Sequence, residues 1–281
     1  MRLFIPSCRL VLLSLCVGSF YTKVAGEVLE WPADQILLQE VRETPMPETG
    51  DSRIGKILNR FYKKGLGGRD NWESIISMRS RGVIRLDSGV EMDIEVYQRK
   101  PDQLKLALLN EERSLAVSLV YDGETAWKQV NSAAKPEPME REEARRFIHS
   151  CIFGNHLLFP FAQGKKIEYL ETIPVEETIC HKVRVHLDTG YQVDYYIDVS
   201  NYHELRVENL DLSTGMVNTI HYRDYTVVSG MPMAMQSENY EDGQFVSMLE
   251  LSDFKVNIGI MPWMFRMPDN TTQEPASTPA P

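Results

Sequence analysis

Cysteine is scarce in this chain of 281 residues: there are four, at positions 8, 16, 151 and 180. None has a CxxC neighbour, so the sequence offers neither a redox dithiol nor a zinc knuckle. Histidine adds no metal site. His181 and His186 are five apart and fall on opposite faces of a strand, while His149 and His156 could share a helix face only through Gly154. GxSxG and HExxH are missing, and no Cys/His arrangement of recognisable spacing replaces them. The "GLGG" stretch at Gly65–Gly68 has neither the full GxGxxG nor the GK[ST] of a phosphate loop, and it follows a helical pattern instead of a strand. These absences predict a protein that is not an enzyme and uses no cofactor or metal. Cations are also short, 30 Lys and Arg against 40 Asp and Glu, for a net charge of −10. A surface of that sign repels phosphate backbones and excludes nucleic acid as a partner.

Long apolar runs are lacking as well. Only "LVLLSLCVGSF" (Leu10–Phe20) is continuous, and it is too short for a comfortable membrane span. Arg2 and Arg9 precede it and the small residues Ala25 and Gly26 follow, the layout of a secretory signal peptide over residues 1–26. Leu15 stands before Cys16, where a lipobox needs a small residue, so cleavage near Gly26 is expected in place of a lipid anchor. The expected location is the periplasm. Loss of the signal also removes Cys8 and Cys16. Cys151 and Cys180 remain, in a compartment that permits disulfides, either as a bridge or as two separately buried thiols.

What the chain does contain is alternation. Residues 27–52 form an extension that ends in a turn-rich linker, "ETPMPETGDS", and "MPDNTTQEPASTPAP" (267–281) forms a Pro-rich tail expected to be disordered. Between them, 53–266 form the folded domain. Helices are predicted near 53–65, 70–77 and 140–153 from the 3.6-residue recurrence of their apolar positions. The rest reads as strands. "VEMDIEV" alternates Glu91, Asp93 and Glu95 with apolar partners, which makes those acids the wet face of a sheet and not a catalytic set. Asp122-Gly123 marks a hairpin. The sum is an α+β, mostly antiparallel β fold with about ten or eleven strands. It forms an open, incomplete β-barrel whose one apolar face is covered by helices packed in its concavity.

Two segments do not fit an ordinary core. "HLLFPF" places Leu157, Leu158, Phe159 and Phe161 in a loop, where large apolar groups must cover or contact something. Met231, Met233 and Met235 recur at a period of two on one strand face. Methionine loses more rotamer entropy on burial than a branched aliphatic, and its merit is adaptability, so the triplet is either packing or cavity lining.

Several phrases occur in an order that resembles one family. These are "ILNRFYKKGLGGRDNWESIISMRSRGVI", "YQRKPDQLKLAL", "LVYDGETAWKQ", "YYIDVSNYHELRVE" and the closing strands from Tyr222 to Ile260. From Arg53 to Pro268 the chain resembles the LolA/LolB-like periplasmic lipoprotein carriers, the outer membrane lipoprotein-sorting proteins. The resemblance implies an open barrel with helices in its mouth and a hydrophobic cavity for acyl chains. The function it implies is binding or carriage of lipoproteins or lipids, with membrane-associated transfer partners. Phe61, Trp72, Trp127, Phe147, Leu157, Leu158, Phe159, Phe161, Met231, Met233 and Met235 become the candidate lining and lid residues. No latch arginine of the family can be matched. The alternative is an envelope sensor or regulatory module that uses the same fold to bind a protein partner.

Overall fold

The computed structural model describes residues 52–110, 112–158 and 166–268. The signal peptide, the extension up to residue 51, the tail from 269, and both Phe159 and Phe161 lie outside the described residues.

Thirteen strands form a single sheet: β1 Ser77–Leu86, β2 Glu91–Arg99, β3 Gln103–Leu109, β4 Leu115–Tyr121, β5 Ala126–Val130, β6 Glu137–Pro138, β7 Lys166–Val175, β8 Thr178–His186, β9 Tyr191–Asp198, β10 Glu204–Asp211, β11 Val217–Val228, β12 Met231–Glu241 and β13 Gln244–Val256. Their spatial order is β6-β5-β4-β3-β2-β1-β13-β12-β11-β10-β9-β8-β7. Two antiparallel meanders are thus joined where β1 pairs with β13. The sheet does not close, because β6 and β7 remain edges, and each edge carries a proline (Pro138 and Pro174), which lacks the N–H that a further strand would need. The strand count exceeds the expected ten or eleven. Two-residue β6 is too short to leave an alternation in the sequence.

Helix α1 spans Arg53–Arg60 and continues as a π turn over Phe61–Gly65. Ser52 caps it, its Oγ accepting from the Gly55 N–H at 3.1 Å. Helix α2 is Arg69–Ser74, shorter than the predicted 70–77 because Ile75 turns extended to feed β1. Helix α3 is Arg141–Ser150, with Glu142 and Glu143 in its first turn, where the helix dipole favours anions.

The glycines after α1 have a steric reason. Gly67 lies at φ +77°, and a Cβ there would sit 1.9 Å from the Gly230 carbonyl oxygen. The helix end therefore rests directly on the β11–β12 turn, and Asn71 of α2 donates to the Ser229 carbonyl at 3.0 Å beside it. Gly82 on β1 packs just as closely on Glu250 of β13, where the ladder carries a bulge that bends the sheet.

The concave face holds two apolar clusters. Helices α1 and α2 and the segment Phe153–Leu158 pack on β8, β9 and the start of β12, around Phe61, Tyr62, Trp72, Leu157, Val193 and Met231. Helix α3 packs on β3 and β4, around Leu108, Leu119, Phe147 and Cys151. On the opposite face a smaller cluster joins Val120 and Trp127 to Ile260 and Phe265 of the C-terminal 3-10 turn, Pro262–Phe265.

Cys151 and Cys180 do not bridge. Both are free and buried, Cys151 under α3 and Cys180 beside Val175 and Tyr196, in separate clusters. Of the two readings of these cysteines, the separately buried thiols are the ones realised.

Candidate functional site

Between the two concave clusters the inner face of the central strands is only partly covered. Met78, Ile84 and Leu86 project inward from β1, and their partners across the ladders are Val256, Leu249 and Ser247 of β13 and Gln98 and Met92 of β2. Ser237 of β12 stands opposite Leu249, so Met231, Met233 and Met235 share the inner face with it. Ile84, Met92, Val96, Leu249, Met233 and Phe254 keep part of their surface accessible while packing against one cluster or the other. They form an apolar strip along the floor of the concavity.

Three sets of contacts frame that strip. Helix α3 crosses the concavity and is fastened at both sides. Lys128 of β5 pairs with Glu143 at 2.7 Å, and Arg145 pairs with Asp211 at the end of β10 at 2.5 Å. Burial of Asp211 acts against its ionised form, yet hydrogen bonds from Arg145 and Ser213 outweigh it and hold the carboxyl below its usual range. At the last turn of α3, His149 stacks on Tyr191 with ring centroids 3.8 Å apart and on His156 at 4.5 Å. Its Nε2 lies 2.9 Å from Asn209 Oδ1. Burial pushes His149 down to about 4.

The segment after α3 is the second frame. The Asn155 side chain accepts from the backbone N–H groups of Leu157 and Leu158 at 3.0 and 3.2 Å. The His156 N–H donates to the Tyr195 hydroxyl at 2.9 Å, and the Leu157 carbonyl accepts from the Tyr62 hydroxyl at 3.1 Å. Burial pushes that Tyr62 hydroxyl up to about 12. With its backbone satisfied in this way, an irregular segment can be buried: Leu157 is 0% and Leu158 4% exposed. The third frame is α2, where Trp72 packs on Phe153 at 5.5 Å and Lys100 donates to the Trp72 carbonyl at 2.6 Å.

The candidates named from sequence therefore separate. Phe61, Trp72, Leu157, Leu158 and Met231 come together in one buried cluster, and Phe147 is buried in the other. Met233 and Met235 are half-buried on the inner face. Trp127 is a correction. It stands opposite Val120 across the β4–β5 ladder and faces away from the helices, and its indole N–H donates to the Phe265 carbonyl at 2.9 Å. It anchors the C-terminal turn and does not line the concavity.

Reasoning from sequence missed Glu204. The β9–β10 ladder carries a bulge between Glu204 and Arg206, so Glu204 stands opposite the inward Ile197 while Arg206 and Glu208 face outward with Tyr196 and Asp194. Asn155 donates its side-chain N–H to Glu204. Desolvation, opposed by that one hydrogen bond, pushes the carboxyl up to about 7.

Cys151 lies under α3 with its thiol donating to the Phe147 carbonyl, and burial pushes it well above the ordinary thiol range, so it is not nucleophilic. Among the described residues, no group of three His, Cys, Asp or Glu is arranged to hold a metal ion. A cleft of about 330 Å³ opens elsewhere, at the β7–β8 turn, lined by Glu176, Asp198, His203, His221, Arg223 and Tyr225. Its principal charges are already spent, since Arg223 and Glu176 pair at 2.7 Å.

An open antiparallel sheet curled around helices, with an apolar floor, is an arrangement found in solved structures. A LolA superfamily protein from Nitrosomonas europaea superposes with a TM-score of 0.54 at 14% identity, over 75% of this chain and 96% of that one. It has the LolA-like fold. A putative outer membrane lipoprotein-sorting protein domain from Vibrio parahaemolyticus gives 0.54 at 11% identity, over 75% of this chain and 94% of that one. A DUF1329 family protein from Desulfovibrio piger gives 0.58 at 8% identity, over 77% and 98%. No family model and no curated protein matches the sequence. The LolA-like likeness is thus one of backbone fold.

Proposed function

We propose that this protein is a non-enzymatic, periplasmic binder or carrier of lipidated proteins or lipids, and that the inner strip between the two concave clusters takes the acyl chain. The observation that carries this reading is the row of half-covered apolar side chains on an otherwise well-packed concave face: Ile84, Met92, Val96, Met233, Leu249 and Phe254. Apolar surface left accessible inside a concavity gains about 0.8 kcal/mol for each methylene it removes from water. A chain of about fifteen carbons therefore offers on the order of 12 kcal/mol before the costs of association. Such a ligand needs no base, nucleophile or metal. It needs a wall that can reshape, which the flexible thioethers of Met92, Met233 and Met235 supply.

Two observations of the frame support the same reading. Helix α3 and the Asn155–Leu158 segment flank the strip and are joined to the strands by side chains and not by the sheet ladder, so a rearrangement of either would leave the strand pairing intact. Among the described residues no helix is long and apolar enough to cross a membrane.

The test is extraction of the purified protein with organic solvent followed by mass spectrometry, together with displacement of a fluorescent fatty acid. Recovered acyl species and saturable displacement are expected. Clean protein that displaces no probe would overturn the reading.

A further inference from the structure

The inward face of β10 is unusually polar for a strand packed beneath helices. Asn209 and Asp211 point into the concavity, and each is matched by α3, Asn209 by His149 and Asp211 by Arg145. Glu204, at the other end of the same strand, is matched by Asn155 alone. Among the described residues no lysine, arginine or histidine pairs with it. Its neighbours in the field are the hydroxyls of Tyr195, Tyr222 and Tyr225. Two of these are already engaged: Tyr195 accepts from the His156 N–H, keeping its own proton, and Tyr225 donates to the Glu204 backbone carbonyl at 2.6 Å. The Tyr222 hydroxyl has no partner among the described residues. Around the pair the surface is apolar, with Ile197, Val207 and Met233 in the same cluster.

An ionised carboxyl without a cation is disfavoured in a desolvated place, and a strand selected for stability alone would carry an aliphatic there. The group is also not sealed. Glu204 and Tyr222 both retain accessible surface, although both are strongly desolvated. Tyr222 packs on the inner cluster and also borders the cleft at the β7–β8 turn, so the pair stands where the concave face and that cleft meet. Carboxyls with strongly perturbed protonation in such places cluster at functional sites.

We propose that Glu204, with Tyr222 beside it, forms the polar end of the acyl site and takes an N–H donor head, an amine or amide, at the end of the chain. This rests on the acyl reading above and adds to it the chemistry of the head. The geometry favours a donor over an anion for a plain reason. A carboxylate or phosphate head would meet a second negative charge with no cation to bridge them, whereas an ammonium would supply the partner Glu204 lacks. The Tyr222 hydroxyl can donate to a carbonyl on the same head or accept from it.

The experiment compares decylamine, decanol and decanoic acid as displacers of a fluorescent acyl probe from the full-length protein at pH 8, repeated with E204Q and Y222F. Glutamine keeps the shape and the Asn155 hydrogen bond but cannot ionise. In the unaltered protein decylamine is expected to bind at least tenfold more tightly than decanol, and decanoic acid more weakly than either. E204Q should bring amine and alcohol within about twofold and leave decanol unchanged, and Y222F should cut the amine preference in part. Lowering the pH from 8 to 6 should reduce amine affinity in the unaltered protein, because Glu204 becomes protonated while the amine stays charged, and should have no effect in E204Q. Equal binding of amine and alcohol by the unaltered protein overturns the assignment whatever the variants do. If decanol binds and the head makes no difference, only the head site fails. If none of the three displaces the probe, the acyl reading fails and this inference with it.

Discussion

His149 and Tyr191 stack at 3.8 Å with their planes 12° apart, and through this contact the last turn of α3 is seated on the first residue of β9. The half-buried imidazole is held there in its neutral form, flanked by His156 and within the field of Arg145 and Asp211. Burial depresses its protonation from the ordinary 6.5 to about 4.

That seat sets a pH dependence whose sign can be worked out. The unfolded chain takes up a proton at this site as pH falls below about 6.5, whereas the folded protein resists until about 4, so stability is lost across that window. Between pH 7 and pH 5 the loss at this one site is on the order of 2 kcal/mol. Glu204 opposes it, because a carboxyl raised to about 7 stabilises the folded state at low pH and loses that contribution as pH rises through 7. Melting curves should therefore be compared between the unaltered protein and H149Q. The variant is expected to lose less stability on acidification, and parallel curves would remove His149 from the account.

Removal of Arg145 should be costly, since Asp211 is 1% exposed and would be left buried without its cation, with only Ser213 to bond it. R145A is expected to destabilise by about 3 kcal/mol or more and to increase hydrogen exchange in α3 ahead of the sheet. Denaturant titration with exchange by mass spectrometry checks both. An exchange pattern that rises uniformly would mean that α3 is not an independent cover.

The methionines should divide. Met231 is 1% exposed in the cluster with Phe61 and Tyr62, so M231A should cost about 2–5 kcal/mol. M235A, on a half-buried side chain, should cost less than about 1 kcal/mol. Replacement of Met233 and Met235 by Leu keeps volume and reduces flexibility, and should narrow the range of acyl chain lengths bound with little change in melting temperature. An unchanged chain-length profile would make these two residues packing and nothing more.

Trp127 offers a control. W127F deletes the hydrogen bond to Phe265 and loosens the C-terminal turn, with an expected loss of about 1–2 kcal/mol. Acyl-probe displacement should be unaffected, because the residue faces away from the concavity. A clear loss of displacement would refute that placement.

Ala at Gly67 would need both a left-handed backbone and space that the Gly230 carbonyl occupies. G67A is expected to destabilise by about 2 kcal/mol or more, measured in denaturant, while G89A, at a similar φ but in open space, should cost less.

The strand alternation was written in the residues themselves. A period of two with one apolar face requires a one-sided sheet that something must cover, and three helical patterns are available to cover it, so the open barrel follows from the pattern alone. What alternation cannot state is phase after an irregularity. On β10, Leu205 and Val207 are apolar while Glu204, Arg206 and Glu208 read as one wet face. The bulge after Glu204 turns that single carboxyl inward and creates the polar end of the site. Nor can alternation say which apolar face meets which cover. Val120 and Trp127 look no different from Leu119 and Phe147 in sequence, and they are separated from them only because Ile260 and Phe265, more than a hundred residues later, return to the outer face. The pairing of Cys151 and Cys180 was open for the same reason. Local pattern determines which residues must be buried, because that follows from backbone period and transfer free energy. Which of them meet is decided by contacts distant in sequence, and these exist only once the sheet has curled.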